Sequence, residues 1–364
     1  MKRIPLGMVG GGQGAFIGAV HRIAARLDNR FELVAGVLSS DSARSAASAR
    51  EVGLLRSYED FKSMALSESD RSDGIRAVTI VTPNHMHFPV ARTFLGAGIH
   101  VICDKPLTAT LEQACELAEI VKSAKALLIL TYTYTGYPMI REARRLVKKG
   151  SLGRLRDIHV EYLQDWLAFD NKSKQAQWRN DPIQSGEGGA ISDIGTHAAH
   201  LASFVSGLEL CEVAADFASF VVGRRVDDDA RLLLRFTDDV RGMLWVSQVA
   251  HGFDNDIRLR IIGESAGLDW SQKDANRLFY TAYGESKRIL TRAGSGFSER
   301  ARLPAGHPEG YLEAFATLYS DAADAILSGC LSDHLPGISD GLSGMRFIRA
   351  AITSNDRNSA WVKV

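Results

Sequence analysis

An apolar run that breaks on a cluster of glycines and then passes into an amphipathic stretch leaves a chain few options. This sequence opens with one: Ile4-Pro-Leu-Gly-Met-Val9, then Gly10-Gly-Gly12-Gln-Gly14-Ala15-Phe-Ile-Gly18. The run has the length and composition of a buried strand, and Ala15 to Leu27 carries apolar residues at helical spacing around His21, Arg22 and Arg26. Strand, glycine turn and helix in that order can cradle a diphosphate. Gly10 permits the tight turn, Gly12 lets the backbone approach phosphate oxygens, and Ala15 is small enough for close helix–strand packing. The N–H groups of the helix start then face the anion. Glycines also gather at ordinary turns, so the flanking strand and helix carry the reading.

The pattern repeats downstream. Phe31 to Leu38 reads as a second strand, Ser57 to Phe61 opens a helical stretch, and Ala77 to Val81 reads as a buried strand stopping at Thr82-Pro83-Asn84. A helix from His87 to Gly98, a strand from Ile99 to Cys103, a helix opened by Thr110-Leu-Glu-Gln113 and a strand from Ala126 to Tyr132 follow. Right-handed crossovers turn such alternation into a doubly wound parallel sheet. After a helix from Pro138 to Lys149 the rhythm changes. Ile158–Leu163, Val213–Val221, Ala230–Phe236, Gly242–Val249 and Arg258–Ile262 read as successive strands, with one helical insertion from Ile191 to Phe204. Helices at Tyr311–Leu327 and Ile338–Thr353 and an edge strand at Ala360–Val364 close the chain. The expected architecture is an α/β domain over residues 1–131 and an α+β domain with an open, mainly antiparallel sheet over 132–364.

The 364 residues balance 43 basic against 43 acidic side chains with no basic run long enough to track a phosphate backbone, which argues against nucleic acid as a partner. No segment is apolar enough to span a bilayer, the chain opens without a signal-peptide core, and Cys103, Cys115, Cys211 and Cys330 lie far apart. A soluble cytoplasmic protein with free thiols, away from membranes, is expected.

At the tip of the second strand a carboxylate commonly holds the adenosine ribose of NAD. Here the tip is Ser39-Ser40-Asp41-Ser-Ala-Arg44. Two hydroxyls with Arg44 one helical turn on suit a 2′-phosphate, pointing to NADP. A shift of two residues would place Asp41 there and suit NAD, and Ser and Asp here also read as a helix N-cap. Lys105 follows a strand where ligands collect in such sheets, with Pro106 fixing its turn; the competing reading is a solvated lysine. In Gly188-Gly-Ala-Ile-Ser-Asp193-Ile-Gly-Thr-His197 the acid and the imidazole are four apart and share a helical face, so the carboxylate can orient a general base. An aspartate that merely suits the helix dipole and a pair of metal ligands compete with that reading; His85, His87, His200 and His251 offer no metal-ligand spacing, so no metal is expected. Gly263-Glu-Ser265-Ala-Gly267 matches a hydrolase elbow but lies between two strand-like runs, as a hairpin turn would. Asp227-Asp228-Asp229 reads as a solvated turn before a strand.

With the glycine turn, Asp104-Lys105-Pro106 and the Gly-Gly-x-x-x-Asp193-x-x-x-His197 segment together, the whole chain resembles the glucose-fructose oxidoreductase / inositol dehydrogenase / MocA (Gfo/Idh/MocA) family. The resemblance implies an N-terminal Rossmann domain and a substrate-binding, oligomerising second domain. It implies NAD(P) contacts from Gly10, Gly12, Gln13, Ala15, Phe16 and Ile17, from Ser39, Ser40 and Arg44, from Thr82, Pro83, Asn84 and His87, and from Asp104 and Lys105. Trp178 and Arg179 fall where members line the nicotinamide pocket, and the serine-plus-arginine pattern resembles NADP-using members. Asp104 replaces the usual glutamate, keeping its charge on a shorter arm. Lys105 is implied to touch nicotinamide and substrate, Asp193 to assist, and His197 to accept a proton. Tyr134, Tyr137 and Tyr311 are candidate substrate contacts, with aromatic core packing the competing reading.

The implied activity is hydride transfer on a secondary alcohol or ketone of a sugar, cyclitol or related polyol. His197 takes the hydroxyl proton and Lys105 stabilises the alkoxide. Relatives on this fold also include transient-redox NAD-dependent glycosidases and dinucleotide-sensing regulators, the latter having no need for both Lys105 and the Asp193/His197 pair. On the family analogy a homodimer or homotetramer is expected.

Overall fold

The computed structural model describes residues 3–294 and 301–364, which form two compact units: 3–133 with 311–342, and 134–310 with 343–364. In the first, β1 (Ile4–Gly10), β2 (Phe31–Val37), β3 (Arg56–Ser57), β4 (Ala77–Val81), β5 (His100–Cys103) and β6 (Leu128–Leu130) form a parallel sheet of order β3-β2-β1-β4-β5-β6. Helices α1 (Phe16–Leu27), α2 (Ser42–Glu51), α3 (Phe61–Ser69), α4 (His87–Gly96) and α5 (Leu111–Ser123) connect the strands. Every residue of β4 is buried, which is why it reads as an unbroken apolar run. Asp60 and Thr110 cap α3 and α5 through their side chains, Thr110 by accepting from Gln113 N at 3.3 Å. The strand order reverses between β1 and β4, and the carboxyl ends there bound the crevice where ligands of such sheets gather.

The second unit holds β7 (Leu155–Leu163), β8 (Leu210–Ala218), β9 (Asp229–Phe236), β10 (Arg241–Ser247), β11 (Asp256–Gly263), β12 (Ala266–Ser271), β13 (Arg277–Ala282), β14 (Arg288–Thr291) and β15 (Val362–Lys363). They form one sheet of order β14-β13-β12-β11-β7-β10-β9-β8-β15, antiparallel except where β10 runs parallel to β7. The period-2 pattern turns Ile158, Val160 and Tyr162 of β7 inward. Helix α6 (Pro138–Lys148) contributes Met139, Ile140 and Ala143 to the core, and α9 (Thr196–Ser206) contributes Ala198, Leu201, Ala202 and Val205. Each larger side chain buried there is worth about 1.5–3 kcal/mol. Two short helices, α7 (Lys174–Arg179) and α8 (Pro182–Ser185), lead toward the 188–197 segment. The sequence pattern did not mark β13 and β14, whose largely uncovered residues give only weak alternation. The Gly263–Gly267 pentad joins antiparallel β11 and β12, a hairpin turn as its flanks suggested.

Helix α10 (Tyr311–Ser328) departs from the expected division at 131/132, because it belongs to the first unit. Its Phe315, Tyr319, Ala322 and Ile326 join Val20 and Ala24 of α1 and Leu6 and Met8 of β1 in one apolar cluster. A helix so placed covers the sheet face that α1 leaves open, and sequence distance hid the pairing. Helix α11 (Ile338–Asp356) carries the chain from the first unit into the second. No helix among the described residues is long and apolar enough to cross a membrane.

Candidate active site

In the first unit β1 ends on Gly10 (φ 84°) and the chain turns through Gly11 (φ 74°), conformations that L side chains rarely adopt. A Cβ on Gly18 would overlap the carbonyl of Gly11, so α1 lies directly against the turn. Gly18 therefore makes the close approach that the sequence reading gave to Ala15. Gly12 is drawn to the end of β2, its N–H donating to Leu38 O at 3.1 Å. Ala15 is the N-cap of α1 and offers no side-chain acceptor, so the first N–H groups of that helix keep their donors for an outside anion. Gln13 turns aside, its N–H bonded to Ser48 Oγ (3.1 Å) and its amide to Glu51 (2.7 Å). Ile17 is partly buried beside the α1–β1 core, and Phe16 is exposed. An uncapped helix start above left-handed glycines fits the diphosphate of a nicotinamide dinucleotide.

At the β2 tip, Asp41 is the N-cap of α2 and accepts from Arg44 N at 2.7 Å. Ser39 Oγ accepts from Asp41 N at 3.2 Å. Ser40 and the Arg44 side chain are exposed. The helix-cap reading of this stretch is realised, and it ties the Asp41 carboxylate to backbone.

The ends of β4 and β5 are joined by His87. Its Nδ1 lies 2.7 Å from Pro106 O and its Nε2 3.1 Å from Thr82 O, so a single buried ring spans the two strand-end turns. Burial pushes its pKa down, while both carbonyls favour the charged form. The Lys105–Pro106 peptide is cis. Asp104 Oδ1 accepts from Lys105 N (2.9 Å) and from Thr131 Oγ1 (3.1 Å), fixing the turn on which Lys105 sits half-buried. Asn84 is buried on a short 3-10 turn after Pro83. Thr82 Oγ1 is buried with no hydrogen-bond partner among the described residues, as an atom awaiting a ligand would be.

In the second unit the segment before α9 is a π-helical turn, Ile191–Gly195. Such turns are rare and frequent at functional sites, and this one widens the helical spacing assumed for Asp193 and His197. Asp193 Oδ2 accepts from Arg179 Nε (3.0 Å) and Gln248 Nε2 (2.9 Å). The Arg179 guanidinium also lies over the Trp178 ring at 4.2 Å, so the Trp-Arg pair braces the Asp193 carboxylate. His197 is buried, edge-on to Tyr134 at 5.2 Å and to Tyr162 at 6.1 Å.

Around this imidazole runs a polar network that the sequence reading missed. Tyr134 OH donates to Tyr162 OH (2.7 Å), which donates to Asn255 Oδ1 (3.0 Å). Asn255 Nδ2 donates to Gln272 (3.1 Å), and Trp166 Nε1 donates to Gln164 (2.8 Å). Burial pushes the Tyr162 hydroxyl up to about 12, so it stays protonated and able to donate. The available signal was a polar residue on an apolar strand face: Tyr162 continues the inward row of Ile158 and Val160. Tyr137 stacks on Tyr134 at 5.9 Å and meets Trp270 edge-on at 5.4 Å, the core-packing alternative. Tyr311 opens α10 in the first unit and packs edge-on against Phe315 at 5.1 Å.

The Asp227–Asp229 run corrects the expectation of a solvated turn, since the three residues are 8%, 0% and 3% exposed. Asp227 accepts from Gly189 N (2.5 Å) and Ile191 N (2.7 Å), Asp228 from Phe220 N (2.9 Å) and Val221 N (3.0 Å), and Asp229 from Trp245 Nε1 (3.1 Å). Burial pushes the Asp227 pKa up to about 6 against the pull of its two N–H donors. Three consecutive carboxylates look solvated in a sequence because nothing in the run itself shows the N–H donors that meet them, those of Asp227 lying nearly forty residues earlier. Among the described residues no group of three or more His, Cys, Asp or Glu gathers in metal-binding geometry.

Residues 4–132 match the model of the oxidoreductase family with an NAD-binding Rossmann fold, and residues 140–269 that of the GFO/IDH/MocA C-terminal domain. A crystal structure of an oxidoreductase from Sinorhizobium meliloti is 52% identical, with TM-score 0.91 and 100% of each chain covered. An inositol dehydrogenase homolog from Azotobacter vinelandii, solved with NADH and myo-inositol, is 32% identical, with TM-score 0.91 over 100% of this chain and 98% of that one. Levoglucosan dehydrogenase of Pseudarthrobacter phenanthrenivorans is 26% identical over 100% of this chain and 99% of its own.

Proposed function

The chain belongs to the Gfo/Idh/MocA family of NAD(P)-binding oxidoreductases, and on that premise we propose that it interconverts a secondary alcohol and a ketone on a sugar, cyclitol or related polyol. The observation that carries the reading is the setting of His197, a buried imidazole flanked edge-on by the Tyr134 and Tyr162 rings and close in sequence to a braced carboxylate. A polyol presents several hydroxyls at once, and the Tyr134–Tyr162–Asn255 network offers donors and acceptors in kind. The myo-inositol bound by the Azotobacter relative and the name of the levoglucosan enzyme support this substrate class.

A nicotinamide dinucleotide, when bound, would supply the hydride acceptor or donor. In the oxidative direction His197 takes the hydroxyl proton and Lys105 stabilises the developing alkoxide. Asp193, held by Arg179 and Gln248, keeps negative charge near the imidazolium that forms. Asp104 and His87 hold the Lys105 turn in place. Gly10, Gly12 and the start of α1 take the diphosphate, with Thr82 and Asn84 beside them at the β4 end. We infer a preference for NADP(H). Asp41 is engaged as a helix cap, whereas Ser39, Ser40 and Arg44 suit a 2′-phosphate. The outer face of the second sheet exposes Leu233 and Met243, which supports a homodimer or homotetramer.

Lys105→Ala and His197→Ala are each expected to lower turnover at least about a hundredfold while leaving cofactor affinity within about tenfold. Unchanged turnover in either variant removes that residue from the mechanism.

A further inference from the structure

We propose that Asp227 is a positioning residue for the Asp193–His197 segment, clamping the two-glycine turn from which that segment starts. The inference rests on the reading of Asp193 and His197 as reacting groups. Three successive N–H groups converge on this one residue. The carboxylate takes those of Gly189 (2.5 Å) and Ile191 (2.7 Å), and the backbone carbonyl takes that of Ala190 (2.9 Å). The approach is close enough that a Cβ on Gly189 would run into the Asp227 carbonyl, and Gly188 must adopt φ 87° to enter the turn. The Gly188-Gly189 pair is thus explained by a residue nearly forty positions later.

The clamp is itself anchored. Asp228, next in the chain, accepts from Phe220 N and Val221 N, and its carbonyl accepts from Gln248 N at 2.8 Å. Gln248 is also the residue whose side chain holds Asp193 Oδ2. One short stretch therefore fixes the origin of the π-helical turn through Asp227 and the carboxylate within it through Gln248. A helix cap that served stability alone would need neither the three-fold convergence nor the shared link to Asp193.

Asp227→Asn keeps the volume but can accept from only one of the two N–H groups and turns an NH2 toward the other. The expected result, well below the unfolding midpoint, is a fall in kcat of at least about tenfold, with KM for NADPH within about twofold and faster amide exchange at Gly189 and Ile191. The substrate is whichever inositol, aldose or keto form the enzyme turns over. Asp227→Glu, which keeps the charge on a longer arm, is assayed alongside in case the amide variant does not fold and is expected to lose kcat in the same way. Wild-type kcat in a folded variant whose Gly189 and Ile191 amides exchange faster overturns the proposal. His197→Ala serves as the parallel control. If it keeps full turnover, the reading of the site itself fails; if it loses turnover while Asp227→Asn does not, only the positioning role fails.

Discussion

The glycine turn of the first unit and the 188–197 segment of the second are built by different means. Between Gly10 and Gly18 the functional groups are backbone N–H donors and the space that glycines leave, all supplied within one strand–turn–helix passage. Between Gly188 and His197 the candidate groups are the Asp193 and His197 side chains, which Arg179, Gln248, Tyr134 and Tyr162 reach from other parts of the chain, while Asp227 holds the backbone where the segment starts. A phosphate cradle can be made by local chain geometry. An acid–base site needs partners whose arrival depends on sheet register and helix packing, so it is more exposed to distant substitutions.

The largest effect expected from breaking the local region is that of Gly18→Val. Its added atoms overlap the Gly11 carbonyl, so α1 cannot dock, and a stability loss of about 3 kcal/mol or more with loss of dinucleotide binding is expected. Chemical denaturation and NADPH fluorescence read the two effects. Breaking the assembled region through Asp227→Ala leaves the Gly189 and Ile191 N–H groups buried without their acceptor and should lower stability by about 2–4 kcal/mol. All five tryptophans, Trp166, Trp178, Trp245, Trp270 and Trp361, lie in the second unit, so intrinsic fluorescence reports its unfolding directly.

Acid should sharpen the contrast. Asp227 has a folded pKa of about 6 against 3.8 for an ordinary aspartate, so its contribution to stability is complete below about pH 4 and is lost as pH rises through 6. His21, buried in the first unit against Tyr319 OH at 2.8 Å, is pushed down to about 4 from 6.5. Its contribution is present above pH 6.5 and is lost as pH falls through 4. Between pH 6.5 and 4 the two groups therefore pull in opposite directions. In denaturant unfolding the two contributions partly cancel over that window, and Asp227→Asn, which removes one of them, should steepen the loss of stability on acidification. The smallest expected effect is that of Arg44→Ala, which should weaken NADPH binding about tenfold and leave NADH nearly unchanged if Arg44 takes the 2′-phosphate.

Much of the first unit was legible because its signals are local. Val9 to Gly18, the apolar β4 and the Thr110 cap each declare themselves within a few residues. The mainly antiparallel second sheet was legible from the succession of strands, although β13 and β14 were too exposed to stand out. What stayed hidden depends on sequence-distant contacts. Helix α10 gave its amphipathic pattern but not its partner α1, and Asp227 gave its charge but not its burial. At the candidate site, Asp193 and His197 could be named from residue type and spacing. Tyr162, Gln164, Asn255 and Gln272 could not, because single polar residues at or beside strand ends carry no motif, and only the fold places them together.

The central claim is that the chain binds a nicotinamide dinucleotide and works on a polyol through His197, and parallel titration with NADPH and NADH tests it most directly. Nicotinamide fluorescence is followed, and a panel of inositols, aldoses and their keto forms is then added to wild type and His197→Ala. The account predicts tighter binding of NADPH, turnover of at least one panel member by wild type, and loss of that turnover in the variant. Failure to bind either nucleotide, or full turnover by His197→Ala, would contradict it.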